Sequence, residues 1–380
     1  MNIAVDIRSL LEAHWSGISW YTYDILNALF KIDQENHYFL FYNQYQTPKF
    51  NFAVWNQENV HFAPFRFPNK ILNLSLKFFQ HPYLDKLTGQ RLTNIAPLTD
   101  RQIAIFWLPN ANFAALSANC PLFLTVHDLS FLRYPQFLNN RERFWHSLVN
   151  PKKLCLQAKK IIAVSENTKA DLQNLYNISE YKIAVIYHGV DHYIFRPLCD
   201  QKILLDIRRK YCLPEKFILF VGSIQGRKNA KLLLSAYHKL SRDDVKLVFV
   251  SSNLDKQISR PGGKVMFLSV PDRQELSAIY NLAEMLVYPS FYEGFGLPVL
   301  EAMACGCPVI AAAGSSLPEV IAQSGLLVDP YNIAEQSFAM LAVLENQKLR
   351  SELVTRGLAQ AKKFSWEESG QKMLELFKNF

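Results

Sequence analysis

The chain has 380 residues, 49% hydrophobic and 19% charged, which is enough for two domains with buried cores and leaves no disorder-like block. Its formal charge of +8 and pI near 9.0 favour acidic partners (nucleotide phosphates, anionic lipid headgroups or nucleic acid) without choosing among them. Six scattered cysteines without zinc-like spacing, no basic-apolar-cleavage pattern at the N-terminus and no roughly 18-residue uncharged apolar window argue against a disulfide scaffold, a secreted chain and a membrane span.

Ile3 to Ile7 reads as a first strand, followed by a turn at Ser16-Gly17-Ile18 and a periodic helix from Tyr21 to Phe30. Gly17 is the turn's one glycine, so the three-glycine dinucleotide fingerprint is missing and no nicotinamide or flavin cofactor is expected. His37 to Tyr42 is a second strand, and from Asn51 to Arg91 the regularity fades. Phe62, Phe65, Phe67, Phe78, Phe79 and Tyr83 alternate there with Arg66, Lys70, Lys77, Lys86 and Arg91, with Asp85 the one acid between Phe62 and Arg91. Such interleaving suits a membrane interface, stacking on single-stranded nucleic acid, or an irregular helical excursion with a buried aromatic side. The reading taken is an acceptor-side surface with membrane contact through 62–91; no recognisable nucleic-acid module accompanies it.

Ile103 to Trp107 and Leu122 to Val126 are apolar runs of the length of buried parallel strands. The second ends in His127-Asp128, where an open α/β sheet meets its ligands. His127 is the candidate active-site residue of the first domain, with Asp128 orienting it; a histidine that satisfies a local hydrogen bond is the alternative. Ile161 to Val164 leads to a cap at Ser165, and Ile183 to Tyr187 to His188-Gly189-Val190-Asp191. A fresh alternation then begins with Phe217 to Val221, so the domains are expected at 1–194 and 195–365, with 366–380 a terminal helix.

In the second half, Val221-Gly222-Ser223-Ile224-Gln225-Gly226-Arg227-Lys228-Asn229 joins a strand to a helix. Small residues before two cations at a helix start suit a diphosphate, with Lys228 as a point charge; an ordinary basic surface turn is the alternative. Leu247 to Val250 and Val265 to Leu268 are further strands. Met285 to Pro289 then runs into Glu293-Gly294-Phe295-Gly296-Leu297-Pro298-Val299-Leu300-Glu301, a strand-loop-helix unit. Gly294 and Gly296 let the backbone approach a ligand, the helix start offers amides to an anion, and Glu301 is expected in the first helical turn. With Glu293 on the loop, both carboxylates can accept hydrogen bonds from one polyhydroxylated molecule. Taken singly these are a dipole-stabilised acid, a solvated loop acid and turn glycines; as one pattern they describe a sugar-nucleotide site.

The nine-residue unit closely resembles the paired-glutamate motif of retaining glycosyltransferases with the GT-B fold, specifically the large family 4. Val126 to Phe131 with Tyr134-Pro135, and Gly222 followed by Arg227-Lys228-Asn229, resemble two more of its segments. The likeness runs from about Gly17 to Trp366 and is weakest from 45 to 100. It implies an α/β protein of two Rossmann-like doubly wound parallel-sheet domains facing each other across a cleft, with the last helix crossing back to the first domain.

It further implies that Glu293 contacts the donor sugar and Glu301 the nucleotide ribose, that His127 faces the donor sugar, and that Gly17 approaches the donor phosphates. Leu268 to Val270 would lie against the nucleobase and Lys228 would hold the diphosphate; Ser223 stands where relatives frequently carry an arginine, a departure that leaves Arg227 as the one nearby guanidinium in that segment. His127, Glu293 and Lys228 are thus the catalytic candidates. Gly17, Ser223, Arg227, Lys228, Val270, Glu293, Gly294, Phe295, Gly296, Leu297 and Glu301 are the donor-binding candidates. No metal ligand is expected, since the chain has no Asp-x-Asp pair. The likeness is strongest to bacterial mannosyl- and rhamnosyl-type members that build surface polysaccharides. It implies a cytoplasmic enzyme, in solution or peripheral on the membrane's inner face, taking a GDP-, UDP- or dTDP-sugar and a saccharide or lipid-linked acceptor.

Overall fold

The computed structural model of the chain describes residues 1–12, 15–44, 51–90, 102–224, 226–251, 263–270 and 272–380; Arg91 and Gln225, named above, lie outside the described residues. Two compact units result: Met1–Arg133, Leu138–His188 and Trp366–Phe380 form the first, Tyr134–Phe137 and Gly189–Ser365 the second.

The strands of the first unit are β1 (Asn2–Asp6), β2 (His37–Asn43), β3 (Val60–Phe65), β4 (Ile105–Leu108), β5 (Leu122–Val126), β6 (Lys160–Ala163) and β7 (Ile183–Val185). They lie in the order β3-β2-β1-β4-β5-β6-β7, every pair parallel. The helices are α1 (Gly17–Ile32), α2 (Asn69–Phe78), α3 (Leu84–Gln90), α4 (Ser130–Arg133), α5 (Asn140–Val149), α6 (Pro151–Gln157) and α7 (Glu166–Tyr176). Every residue of β1, β4 and β5 is buried, which is why Ile3 to Val5, the whole of β4 and Leu122 to Leu124 are unbroken apolar runs rather than alternating ones. The order reverses between β1 and β4, the place where a doubly wound sheet receives ligands at its carboxyl edge.

The stretch expected to be irregular is more ordered than its sequence suggests, because β3 pairs with β2 from Tyr38↔Val60 to Asn43↔Phe65. Pro64 disguised it: proline lacks a donor and marks most strands as broken, but β3 is an edge strand, where that donor is not needed. Phe65 is buried in the core with Leu72 and Leu76, so the expected surface does not extend over all of 62–91.

The second unit repeats the plan with α8 (Gln201–Lys210), β8 (Phe217–Val221), α9 (Ala230–Lys239), β9 (Lys246–Val250), β10 (Val265–Leu268), α10 (Arg273–Leu282), β11 (Met285–Tyr288), α11 (Leu297–Ala304), β12 (Val309–Ala312), α12 (Leu317–Ile321), β13 (Leu326–Val328), α13 (Ile333–Glu345) and α14 (Gln347–Ala361). Its parallel sheet has the order β10-β9-β8-β11-β12-β13, so the reversal falls between β8 and β11. Loops leaving those two strands therefore meet at one edge. Tyr134–Phe137 belongs to this unit through Phe137, whose ring stacks on Phe291 at 5.5 Å, while Phe291 lies 4.7 Å from Tyr331.

The terminal helix α15 (Trp366–Lys378) belongs to the first unit. Gly370 lets it close on α1, since a Cβ there would stand 3.1 Å from that of Ala28. Phe377 packs its ring 5.9 Å from Trp107 and 5.7 Å from Phe123. Among the described residues, no helix is long and apolar enough to cross a membrane.

Candidate active site

The second unit's site begins where β8 ends. Gly222 has φ +142°, a conformation suited to glycine, and the aliphatic stem of Lys228 lies 3.8 Å from where its Cβ would be. Gly226–Lys228 make a short 3-10 turn, followed by Asn229 in the left-handed region at φ 60°. The buried amide of Asn229 donates to the carbonyls of Pro289 (3.0 Å) and Pro330 (2.7 Å), tying three loops together. The loop after β11 is fastened to the same turn: the Arg227 carbonyl accepts from the Phe291 amide at 2.8 Å and from the Ser290 hydroxyl at 3.1 Å.

This scaffold brings charges together. Lys228 Nζ lies 2.7 Å from Glu293 Oε1, and Arg227 Nη1 lies 3.2 Å from Oε2 and donates to the Tyr292 carbonyl at 2.7 Å. Lys228 also donates to the Tyr288 hydroxyl and stands 4.9 Å over its ring. Burial pushes the Glu293 carboxyl up, but Lys228 and Arg227 outweigh it and bring it down to about 2. The cluster is ionised at neutral pH. Glu293 is thus a buried, paired acid, unlike the solvated loop acid of the alternative reading, and the point charge of Lys228 is compensated by it. Burial and the charge of Glu293 raise the Tyr288 phenol far above its ordinary value, so it stays protonated.

Two serines of the turn after β12 clamp the glycine loop. Glu293 N donates to Ser315 Oγ (2.9 Å), and Ser316 Oγ donates to the carbonyls of Glu293 (3.0 Å) and Phe295 (2.8 Å). Gly296 caps α11 at φ +107°, and a Cβ there would lie 2.7 Å from Leu317 Cδ2. Val299 and Leu300 both donate to the Gly296 carbonyl and Pro298 has no N–H, so the amides of Gly296 and Leu297 are what this helix start can offer an anion.

Because the helix starts at Leu297, Glu301 falls in its second turn rather than the first. Its Oε2 accepts from the Tyr280 hydroxyl of α10 at 3.0 Å. The charges of Glu293 and Glu301 both act on Tyr288, so the two acids surround one buried ring. Phe295 is buried against Phe364 at 5.8 Å. Ser223 and Val270 follow β8 and β10 on the same carboxyl edge, Ser223 exposed and Val270 buried. Tyr280, Tyr288, Ser315 and Ser316 escaped the sequence reading: Tyr288 stood only as a position of an apolar strand, and no local pattern singles out the other three.

In the first unit, His127 leaves the carboxyl end of β5 and its Nε2 lies 2.9 Å from the Pro109 carbonyl. A carbonyl only accepts, so Nε2 carries the hydrogen and Nδ1 of the neutral ring is an acceptor. Burial lowers the pKa of His127, against the opposing effects of Pro109 and Asp128. Asp128 is engaged by Ser130, accepting from its amide (2.9 Å) and hydroxyl (2.6 Å), and acts on His127 through its charge. Tyr21 of α1 meets the His127 ring edge-on at 4.8 Å and shares a hydrogen bond with Thr125 (3.2 Å), to which Trp107 Nε1 also donates (3.0 Å). His188, unexpected from the sequence, lies 4.8 Å from Tyr21 and 5.7 Å from both His127 and Trp366. Gly17, the first residue of α1, stands one turn before Tyr21, with nothing within 4 Å of the place a Cβ would take.

Within the second unit the structure thus unites Arg227, Lys228, Glu293 and Glu301; within the first it joins His127 to the helix that Gly17 begins. Among the described residues no group of three or more His, Cys, Asp or Glu could hold a metal ion.

Two Rossmann-like parallel-sheet domains of this kind make the GT-B fold of glycosyltransferases. Sucrose-phosphate synthase from Thermosynechococcus elongatus shares it over 100% of this chain and 98% of its own, at TM-score 0.75 and 21% identity. Anabaena HepE in complex with UDP and glucose does so over 100% and 99%, at TM-score 0.70 and 17% identity. Residues 15–193 match the family described as Glycosyltransferase Family 4, and residues 206–360 that described as Glycosyl transferases group 1. O-antigen chain mannosyltransferase B of Escherichia coli is 33% identical over 268 residues, 67% of this chain and 69% of that protein. Serotype-specific mannosyltransferase WbdA of Escherichia coli is 28% identical over 268 residues, 66% of this chain but 32% of the longer relative. The chain belongs to glycosyltransferase family 4, with homologues among mannosyltransferases of O-antigen synthesis.

Proposed function

We propose that this glycosyltransferase moves a hexose, mannose-like, from a nucleoside-diphosphate sugar to a hydroxyl of a saccharide or lipid-linked saccharide, with retained configuration and without a metal ion. The observation that carries the reading is the half-buried Arg227–Lys228 pair closed on the buried Glu293 beside the start of α11, at the reversal point of the second sheet. In it, Lys228, Arg227 and the amides of Gly296 and Leu297 hold the leaving diphosphate. Glu293 accepts from hydroxyls of the sugar and Glu301 from the ribose. The bond between C1 and the diphosphate oxygen breaks as the acceptor oxygen bonds to C1 on the same face, and the acceptor proton passes to the departing phosphate. Preorganised charges lower the barrier to separating a diphosphate from an oxocarbenium-like sugar by several kcal/mol in a protected site. His127, neutral and accepting at Nδ1, bonds a donor-sugar hydroxyl.

The mannose preference is supported by the names of the relatives, and the nucleotide-sugar donor also by the UDP and glucose held by HepE. A lipid-linked acceptor would place the enzyme at the inner face of the cytoplasmic membrane. The test is a thermal-shift panel of GDP-, UDP- and dTDP-sugars followed by transfer to a soluble acceptor glycoside and NMR of the new anomeric centre. A donor at a hundred times its dissociation constant stabilises by about 2.7 kcal/mol. An inverted product refutes the mechanism, and release of an altered free sugar from donor alone would instead identify a hydrolysing nucleotide-sugar epimerase.

A further inference from the structure

The first unit carries an apolar face that its core does not use. Helix α2 buries Leu72 and Leu76, while Ile71, Leu74 and Phe78 are each more than half exposed. At about 100° per residue these three share one stripe, well away from the buried pair, and Lys70 and Lys77 fall beside it. Phe79, just past the end of the helix, is the most exposed of the set at 79%. Helix α5 completes the surface: it turns Val149 inward, stacks His146 on Phe131 at 4.1 Å, and leaves Phe144 and Trp145 outside. Between the helices runs a groove of about 700 Å³ lined by Lys70, Leu74, Lys77, Arg141, Phe144 and Trp145 among others.

Charge complementarity names the occupant. The groove lining contains three cations and, among the described residues, one acid, Glu142, which is engaged in capping its own helix by accepting from the Asn139 amide at 2.9 Å. Aromatic and aliphatic side chains ringed by cations, on two helices of one face, match an interface where apolar bodies enter the acyl region and cationic tips meet lipid phosphate.

We infer that the α2–α5 face docks the enzyme on an anionic lipid bilayer. This rests on the reading above only for its purpose, since a membrane-seated enzyme meets lipid-linked acceptors, and binding is measured without donor. Phe62 and Phe65, on β3, take no part, whereas Phe144, Trp145 and Arg141 do.

The full chain is sedimented with phosphatidylcholine vesicles with and without phosphatidylglycerol. Binding is expected only when phosphatidylglycerol is present. Removing Lys70, Lys77 and Arg141 together by glutamine should weaken it on the order of a hundredfold, with a matching loss of salt sensitivity. Exchanging Leu74, Phe78, Phe79 and Phe144 for serine should abolish it while transfer to a water-soluble acceptor stays at the wild-type level. Equal binding to both vesicle types, or unchanged binding by either variant, overturns the inference. So does a salt-sensitive oligonucleotide shift, or a concentration-dependent dimer, that the same substitutions remove while vesicles are not bound.

Discussion

Lys228 Nζ stands 2.7 Å from Glu293 Oε1, inside a loop that Ser315 and Ser316 hold in place. With Arg227 on the other carboxylate oxygen, two cations face one anion, and a diphosphate arriving here would meet a single net positive charge already fixed in position. In the proposed reaction the acid orders the cations that bind the leaving group and also grips the sugar being transferred.

Replacing Lys228 by methionine should reduce turnover by about a hundredfold or more. Stability should fall by less than the roughly 3–5 kcal/mol typical of an orphaned buried charge, because Arg227 remains. In the double variant with Glu293→Met, urea denaturation should show part of that stability restored while activity stays lost. Strictly additive effects on stability would mean that the two charges are not coupled.

Acid titration tests the same pair. The folded carboxyl of Glu293 lies near 2 against an ordinary 4.5, so its contribution to stability is complete above 4.5 and is lost as pH falls from there towards 2. Glu293→Gln should flatten this limb of the stability–pH curve, measured by chemical denaturation at several pH values.

A second acid limb should begin higher. Burial lowers the pKa values of His127 and His188 from an ordinary 6.5, in His188 with help from the charge of His127. The unfolded chain therefore binds protons that the folded chain refuses, and stability falls as pH drops below about 6.5. His188→Phe should reduce that slope. An unchanged slope would show that His188 is not held neutral by the fold.

Tyr280→Phe removes the hydroxyl that holds Glu301 Oε2. A hydrogen bond to a charged group contributes about 1.5–3 kcal/mol, so the donor KM should rise roughly tenfold or more while kcat stays within about twofold. A donor analogue lacking the ribose hydroxyls should lose its disadvantage in this variant; if it does not, Glu301 does not serve the ribose.

Two glycines should answer differently to alanine. At Gly296 the positive φ and the nearby Leu317 methyl should together cost about 1–3 kcal/mol and weaken donor binding. At Gly17 nothing is in the way, and a helical alanine should be neutral or stabilising by up to about 1 kcal/mol. Lost activity in a stable Gly17→Ala protein would be the signature of a backbone that approaches the donor phosphates.

Much of the sheet could be read from the chain because parallel strands covered on both faces carry continuous apolar runs, as Ile3 to Val5, Leu122 to Leu124, β8 and β11 do. The edge strand β3 could not, since Pro64 breaks the pattern that an edge tolerates. The strain at Gly296 was legible as a glycine, but not its cause, because Leu317 comes from another loop.

The sequence by itself determined the glutamates, their spacing, the basic pair after β8 and the histidine after β5, since each depends on residue type beside a predictable strand end. Only the tertiary structure decided that Lys228 is neutralised by Glu293, that Glu301 leans on Tyr280, and that His188 joins His127 through Tyr21. Those partners lie 21 or more positions apart, and a local pattern carries no information about which loops a folded sheet will bring to one edge.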